Sequence, residues 1–253
     1  MEIKNIEFSY ESGKKVLEGI SFKVEREKIT TIIGANGCGK STLFNVMSKN
    51  LKPQKGVVTL NGENIDKISL KRFARELAIV HQHNSAPADI RVEKLISYGR
   101  IPHRGCCKRD YAEDERCINF ALETMGIEKF RRKRISELSG GERQRVWIAM
   151  ALAQNTKILL LDEMTTYLDI KNQIETLRLI KKLNREYKIT IIMILHDINQ
   201  AAYYSDSILA MKNSKIIKYG KPSEVITSET IKETYGVELE IESFKNRRFV
   251  ITV

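Results

Sequence analysis

Gly34-Ala35-Asn36-Gly37-Cys38-Gly39-Lys40-Ser41 carries the spacing of a phosphate-binding loop: a glycine, four residues, a second glycine, then lysine and serine. Each part has a task. The glycines let successive amides turn inward, and a helix N-terminus adds positive potential. Lys40 has the reach to contact β- and γ-phosphates, and the Ser41 hydroxyl can ligate Mg²⁺. Residues Gly34 through Thr42 are therefore candidate contacts for a nucleoside triphosphate. Cys38 places a thiol among these amides and beside Lys40, conditions expected to favour its thiolate.

A second pair of groups lies far downstream. Ile158 to Leu161 is an apolar run ending in Asp162 and Glu163. A strand of that kind sets Asp162 at the C-terminal edge of a parallel sheet, where ligands bind and a carboxylate can hold Mg²⁺ directly or through water. Glu163 is then the candidate to polarise an attacking water. Alone, acids after a strand read as a solvated loop. With the phosphate loop upstream they read as the other half of one site.

Leu138-Ser139-Gly140-Gly141-Glu142 stands between these halves and opens a helical stretch. By composition such a pentapeptide should arise in about one chain per thousand. The Ser139 hydroxyl and the amides of Gly140 and Gly141 at a helix N-terminus suit an anion.

The elements that must carry these groups follow from periodicity. Up to about residue 83 the chain reads mainly as strands. Ile3, Ile6, Phe8 and Tyr10, then Ile20, Phe22 and Val24, alternate with polar residues, and Val57 to Leu60 runs into the turn pair Asn61-Gly62. Within this zone Ile29 to Ile33 predicts a buried strand, and Ser41 to Lys49 a helix. From about 88 to 154 the spacing is helical, clearest over Val92 to Tyr98, Asp110 to Met125 and Glu142 to Ala153. Strands over Ile158 to Leu161, Thr190 to Leu195, Ser207 to Met211 and Lys215 to Lys218 then alternate with helices near Lys171 to Glu186 and Ile198 to Tyr204. Near-continuous apolar strands separated by helices predict a parallel sheet covered on both faces. Leu239 to Ile241 and Phe249 to Val253, around Lys245-Asn246-Arg247, predict a terminal hairpin.

Bulk properties narrow the setting. No stretch approaches the roughly 20 apolar residues of a membrane span, and Glu2, Lys4 and Glu7 occupy the start where a secretion signal needs an apolar core. Cys38, Cys106, Cys107 and Cys117 show neither zinc-ribbon nor disulfide spacing, as expected of free thiols in a reducing compartment. A net charge of +11 fits either a nucleic-acid binder or a neighbour of an anionic membrane. The basic run Lys129 to Arg134 holds a single aromatic, Phe130, and not the repeated interleaving that a base-stacking platform requires, so it reads as a solvated face and no nucleic acid is expected. His81 and His83 lack further ligands at metal spacing. Trp147 reads as a packing residue.

Taken together, the phosphate loop, Leu138-Ser139-Gly140-Gly141-Glu142 and the apolar strand ending in Asp162-Glu163 resemble ATP-binding-cassette ATPases over residues 2 to 236. The fold this implies is α/β, a P-loop parallel-sheet core with an antiparallel β subdomain and a helical subdomain at about 88–154 bearing the signature. Residues 1–236 would form the cassette and 237–253 a C-terminal hairpin extension. The resemblance gives further roles. Gln82 matches the glutamine that senses Mg²⁺ and water, and Asp169 the acid of a loop crossing the dimer interface. His196 matches the histidine at the γ-phosphate, and Tyr10 the aromatic that stacks on adenine, with Phe8 as its near competitor. Ser139, Gly140 and Gly141 would cap the γ-phosphate bound by a second copy, giving a homodimer of cassettes around ATP and Mg²⁺.

Finer features are similar to importers of the iron-siderophore and cobalamin type. These are Gly141 through Gln154, Thr165-Thr166-Tyr167-Leu168-Asp169-Ile170, Leu195-His196-Asp197-Ile198-Asn199-Gln200-Ala201, Cys38 in the loop and Gly99-Arg100-Ile101-Pro102-His103. The partners implied are integral-membrane permease subunits and, indirectly, an extracytoplasmic substrate-binding protein, with the chain at the cytoplasmic face of the membrane. Ferric siderophore is the cargo expected, with cobalamin or haem as alternatives. A soluble cassette acting on DNA or the ribosome is the rival class, opposed by the single cassette and the lack of coiled-coil arms. A scaffold without turnover is a third, opposed by Glu163 and His196. Met164 and His81 depart from the prolines common at their positions, which bears on loop rigidity.

Overall fold

A computed structural model of the chain describes residues 1–11, 13–105, 110–166, 168–244 and 247–251. The order is β1 (Glu2–Ser9), β2 (Lys15–Lys23), β3 (Ile29–Gly34), α1 (Lys40–Met47), β4 (Lys55–Leu60), β5 (Glu63–Asn64), α2 (Leu70–Glu76) and β6 (Leu77–Val80). Then come α3 (Val92–Ser97), α4 (Tyr111–Thr124), α5 (Gly140–Ala153), β7 (Ile158–Leu161), α6 (Ile170–Tyr187), β8 (Thr190–Ile194) and α7 (Ile198–Tyr204). The chain ends with β9 (Ser207–Lys212), β10 (Lys215–Gly220), α8 (Pro222–Val225), α9 (Ser228–Tyr235), β11 (Glu240–Phe244) and β12 (Arg247–Ile251).

Two compact units form: Met1–Ile68 with Thr190–Val253, and Ser69–Ile189. The second is larger than the helical zone expected at about 88–154, because β6, β7 and α6 also belong to it.

In the first unit an antiparallel sheet runs β2-β1-β4-β5. Pairs Ile3↔Phe22, Ile6↔Ile20 and Phe8↔Leu17 set the buried faces of β1 and β2 side by side. Asn61 and Gly62 take φ of +52° and +85°, the mirror-image turn that matches strand twist, and close the β4–β5 hairpin. A second set of strands runs β10-β9-β3-β8, with β3 parallel to both β8 and β9 and β10 antiparallel at the edge. Every residue of β3 and β8 is buried, which is why these strands lack alternation. The tail pairs β11 with β12 as expected, while its turn residues Lys245 and Asn246, and Thr252 and Val253, lie outside the described residues. The Asn199 side chain exchanges two hydrogen bonds with the Val250 backbone, at 3.0 and 2.8 Å, occupying the free edge of β12.

In the second unit β6 and β7 pair in parallel through Leu77↔Ile158 to Val80↔Leu161. Trp147 is buried along α5 with Val146, Ile148 and Leu152, as a packing residue should be. Arg100 is 3% exposed; it bonds Asp114 at 2.9 Å and the Ala153 carbonyl at 3.0 Å, tying the turn after α3 to α4 and to the end of α5. Asp110 caps α4 by accepting from the Glu113 amide.

Candidate active site

The phosphate loop spans the end of β3 and the start of α1, as its sequence required. Gly34 has φ +152°, and a Cβ there would collide with the Met211 carbonyl oxygen and meet the Cys38 sulfur at 2.8 Å. Gly39, the N-cap of α1, has φ +109°, and a Cβ would lie 2.6 Å from the Val16 carbonyl oxygen. Both positions need glycine on conformation and on space. Lys40 is buried and donates from Nζ to the carbonyls of Gly34 at 2.8 Å and Ala35 at 3.0 Å. Two of the ammonium's three donors thus fix its head over the loop.

Tyr10 follows β1 and is 48% exposed, while its hydroxyl lies 3.3 Å from Thr42 Oγ1. Phe8 is buried against it edge to face, with ring centroids 5.0 Å apart. Of the two aromatics, Tyr10 is the exposed one. His196 is exposed just past β8, and Asp197 caps α7 by accepting from the Gln200 amide at 2.8 Å.

Cys38 corrects an expectation. It is 5% exposed, and burial pushes its thiol up from the ordinary range, outweighing the opposing pull of Lys40 and the neighbouring amides. The neutral thiol is the favoured form. Cys38 and Cys117 are free, while Cys106 and Cys107 lie outside the described residues.

In the second unit Gln82 and Glu163 follow the paired strands β6 and β7. Gln82 Nε2 donates to Glu163 Oε2 at 2.5 Å. Asp162 directly follows β7, and its amide donates to the Val80 carbonyl at 2.9 Å, extending the β6–β7 ladder. Glu163 has φ +47°, a left-handed conformation uncommon outside glycine, which rotates its side chain out of the strand's alternation. Met164 is 3% exposed and accepts a contact at 3.1 Å from the Gln144 amide of α5. A packed side chain, rather than a proline ring, anchors this turn.

Ser139 is the N-cap of α5 in a capping box. Its amide and hydroxyl both donate to Glu142 Oε2 at 2.8 Å, and the Glu142 amide returns to Ser139 Oγ at 3.4 Å. These bonds hold the Glu142 carboxyl below its usual range. Ser139 and Gly140 are exposed, whereas Gly141 is buried, where a Cβ would lie 2.5 Å from Asn172 Oδ1. Asn172 is in turn held by Asp169, the exposed cap of α6, which accepts from its amide and its side chain at 2.8 Å each. The Asn172 amide, more than any charge, lowers the Asp169 carboxyl. Gly141 and Asp169 therefore share one intermediary, Asn172, which neither spacing nor residue type had singled out. Tyr167, between Glu163 and Asp169, lies outside the described residues.

A glycine loop clamping a lysine at a strand–helix junction, an Asp-Glu strand end and a serine-capped signature helix define a nucleotide-hydrolysing cassette of the P-loop class. The sequence profile of the ABC transporter family matches residues 17–166, and the chain belongs to that family as one of its ATPases. Among its relatives, the iron(3+)-hydroxamate import ATP-binding protein FhuC of Bacillus subtilis is 46% identical over 226 residues, covering 89% of this chain and 84% of that protein. A solved transporter assigned to the metal-chelate type, in an inward-facing conformation, matches with a TM-score of 0.84 at 25% identity, covering 98% of this chain and 94% of the other. The dimeric ABC transporter cassette MJ0796 matches with a TM-score of 0.76 at 26% identity, covering 87% and 98%.

Proposed function

We propose that this chain is the ATP-hydrolysing subunit that energises uptake of a ferric siderophore through a separate membrane permease. The observation that carries the catalytic part is the Gln82–Glu163 hydrogen bond at the ends of two paired parallel strands. It fixes a carboxylate where a water can be aligned. The names of the hydroxamate-importing relative and the metal-chelate neighbour support the cargo.

In this reading the nucleotide's phosphates lie on the amides of Gly34 through Thr42, and the remaining donor of Lys40 takes a phosphate oxygen. Tyr10 stacks on adenine. Ser41, Gln82 and Asp162 offer the oxygen donors that Mg²⁺ prefers, so these residues would hold it. The ion would neutralise charge that develops on the phosphates. Glu163 accepts a proton as the water oxygen bonds to the γ-phosphorus and the bond to ADP's terminal oxygen breaks, and His196 contacts the γ-phosphate. Ser139, Gly140, Gly141 and Asp169 complete the site of a second copy, as the dimeric cassette structure supports.

No helix among the described residues is long and apolar enough to cross a membrane. On the importer reading, which the names of the relatives support, the chain acts at the cytoplasmic face through permease subunits that an external substrate-binding protein supplies. Cells lacking this chain should lose uptake of at least one radio-iron-labelled ferric siderophore. Parent chain should restore uptake, and the Glu163→Gln chain should not. Normal uptake of every chelate, beside lost transport of cobalamin or haem, would redirect the cargo.

A further inference from the structure

The β9–β10 turn holds two consecutive residues in the left-handed region, Asn213 at φ +44° and Ser214 at φ +70°. A two-residue hairpin of this type favours glycine in its second place, yet serine stands there. The cost of such a conformation persists only where surrounding contacts fix it, and Ser214 makes three of them, all outside its own hairpin. Its amide donates to the Cys38 carbonyl of the phosphate loop at 3.2 Å. Its carbonyl accepts from the Glu18 amide at 2.9 Å. Its hydroxyl donates to the Lys15 carbonyl at 3.0 Å. Lys15 begins β2 and pairs with Ser9, the residue before Tyr10. One residue thus joins the phosphate loop to the hairpin that carries the exposed tyrosine.

The same hairpin presses on the loop elsewhere. Gly34 pairs with Met211 in the β3–β9 ladder, and the Met211 methyl lies 3.7 Å from where a Cβ on Gly39 would stand. Main-chain bonds secure the loop, while the Ser214 hydroxyl adds only the link to Lys15.

We propose that Ser214 is a positioning residue for nucleotide binding, whose hydroxyl fixes the distance between the base platform at Tyr10 and the phosphate loop. This rests on the assignment of Tyr10 and the loop to opposite ends of ATP. A ligand touching both ends feels the link; one touching the loop alone does not.

Ser214→Gly isolates the hydroxyl, since glycine keeps both main-chain bonds and adopts positive φ without strain. In the full chain this variant should melt at or above the parent temperature. Its dissociation constant for MgATP should nevertheless rise about three- to tenfold, the worth of one neutral hydrogen bond. Turnover at saturating ATP should be unchanged. Magnesium tripolyphosphate, which lacks a base, should compete for the loop with parental affinity. An unchanged ATP constant would overturn the proposal, as would a tripolyphosphate constant that rises in step or a fall in melting temperature that tracks the lost affinity. Tyr10→Ala separates the two layers. If it binds ATP like the parent, both the base platform and this inference fail; if it binds weakly while Ser214→Gly binds normally, only the role of Ser214 is lost.

Discussion

Gln82 donates its side-chain amide to the Glu163 carboxylate at 2.5 Å, although 81 residues separate them. The bond exists because Val80 and Leu161 are partners in the β6–β7 ladder and each chain then turns out of its strand. A carboxylate so held has one oxygen committed to orientation. Gln82→Ala should lower turnover by about 10- to 100-fold, the usual cost of losing a group that orients a reacting one. The Mg²⁺ concentration for half-maximal activity should rise with it. Steady-state phosphate release across a Mg²⁺ titration measures both, and parental turnover in the variant would show that Glu163 needs no such partner.

Burial raises the Cys38 thiol, so the folded chain holds that proton more tightly than the unfolded chain does. Its contribution to stability is present below the ordinary thiol value of about 8.5 and is lost as pH rises through the elevated folded value. Alkylation of Cys38 should therefore be slower at pH 7 than for a free thiol and should keep accelerating above about pH 9. Labelling rates followed by mass spectrometry, with Cys38→Ser as the blank, test this. A rate already level at neutral pH would restore the thiolate.

The Arg100–Asp114 pair is buried on both sides and braces three segments of the helical region. Asp114→Asn leaves the guanidinium charged and uncompensated, which should cost about 3–5 kcal/mol. Denaturant unfolding of parent and variant gives the difference. Replacing both partners with apolar residues of similar volume should recover much of it, and a loss below about 1 kcal/mol for Asp114→Asn would place the charge in solvent rather than in the core.

Much of the frame was legible because local chemistry decides it. Ile29 to Ile33 before the glycine loop, Asn61-Gly62 and the apolar run before Asp162 each became the element their residues demand. Three short helices, α2, α8 and α9, were not. In α2 only Phe73 is buried, in α8 only Val225, and in α9 two of the three buried side chains are threonines, so no apolar stripe marks them. The α5 cap is legible as Ser-x-x-Glu, although Ser139 with Gly140 and Gly141 first suggests an anion contact. Met164 reads as a missing proline in sequence, yet Gln144, 20 residues away, holds it. Cys38 misled because Lys40 and the loop amides are visible in sequence, whereas the burial that leaves it 5% exposed exists only in the folded unit. Ser214 was invisible for a related reason: each of its three partners is a backbone atom remote in sequence.

In the proposed mechanism Glu163 activates water while the phosphate loop binds MgATP independently of it. The direct test is the rate of γ-phosphate release by Glu163→Gln at saturating MgATP, with binding measured on the same sample. The substitution leaves an amide in place of the base and does not touch the Lys40 contacts to Gly34 and Ala35. Release should fall by about 10²–10⁴-fold, the worth of a general base, while the dissociation constant for MgATP stays within about threefold of the parent. Release at the parental rate would contradict the assignment of Glu163 outright.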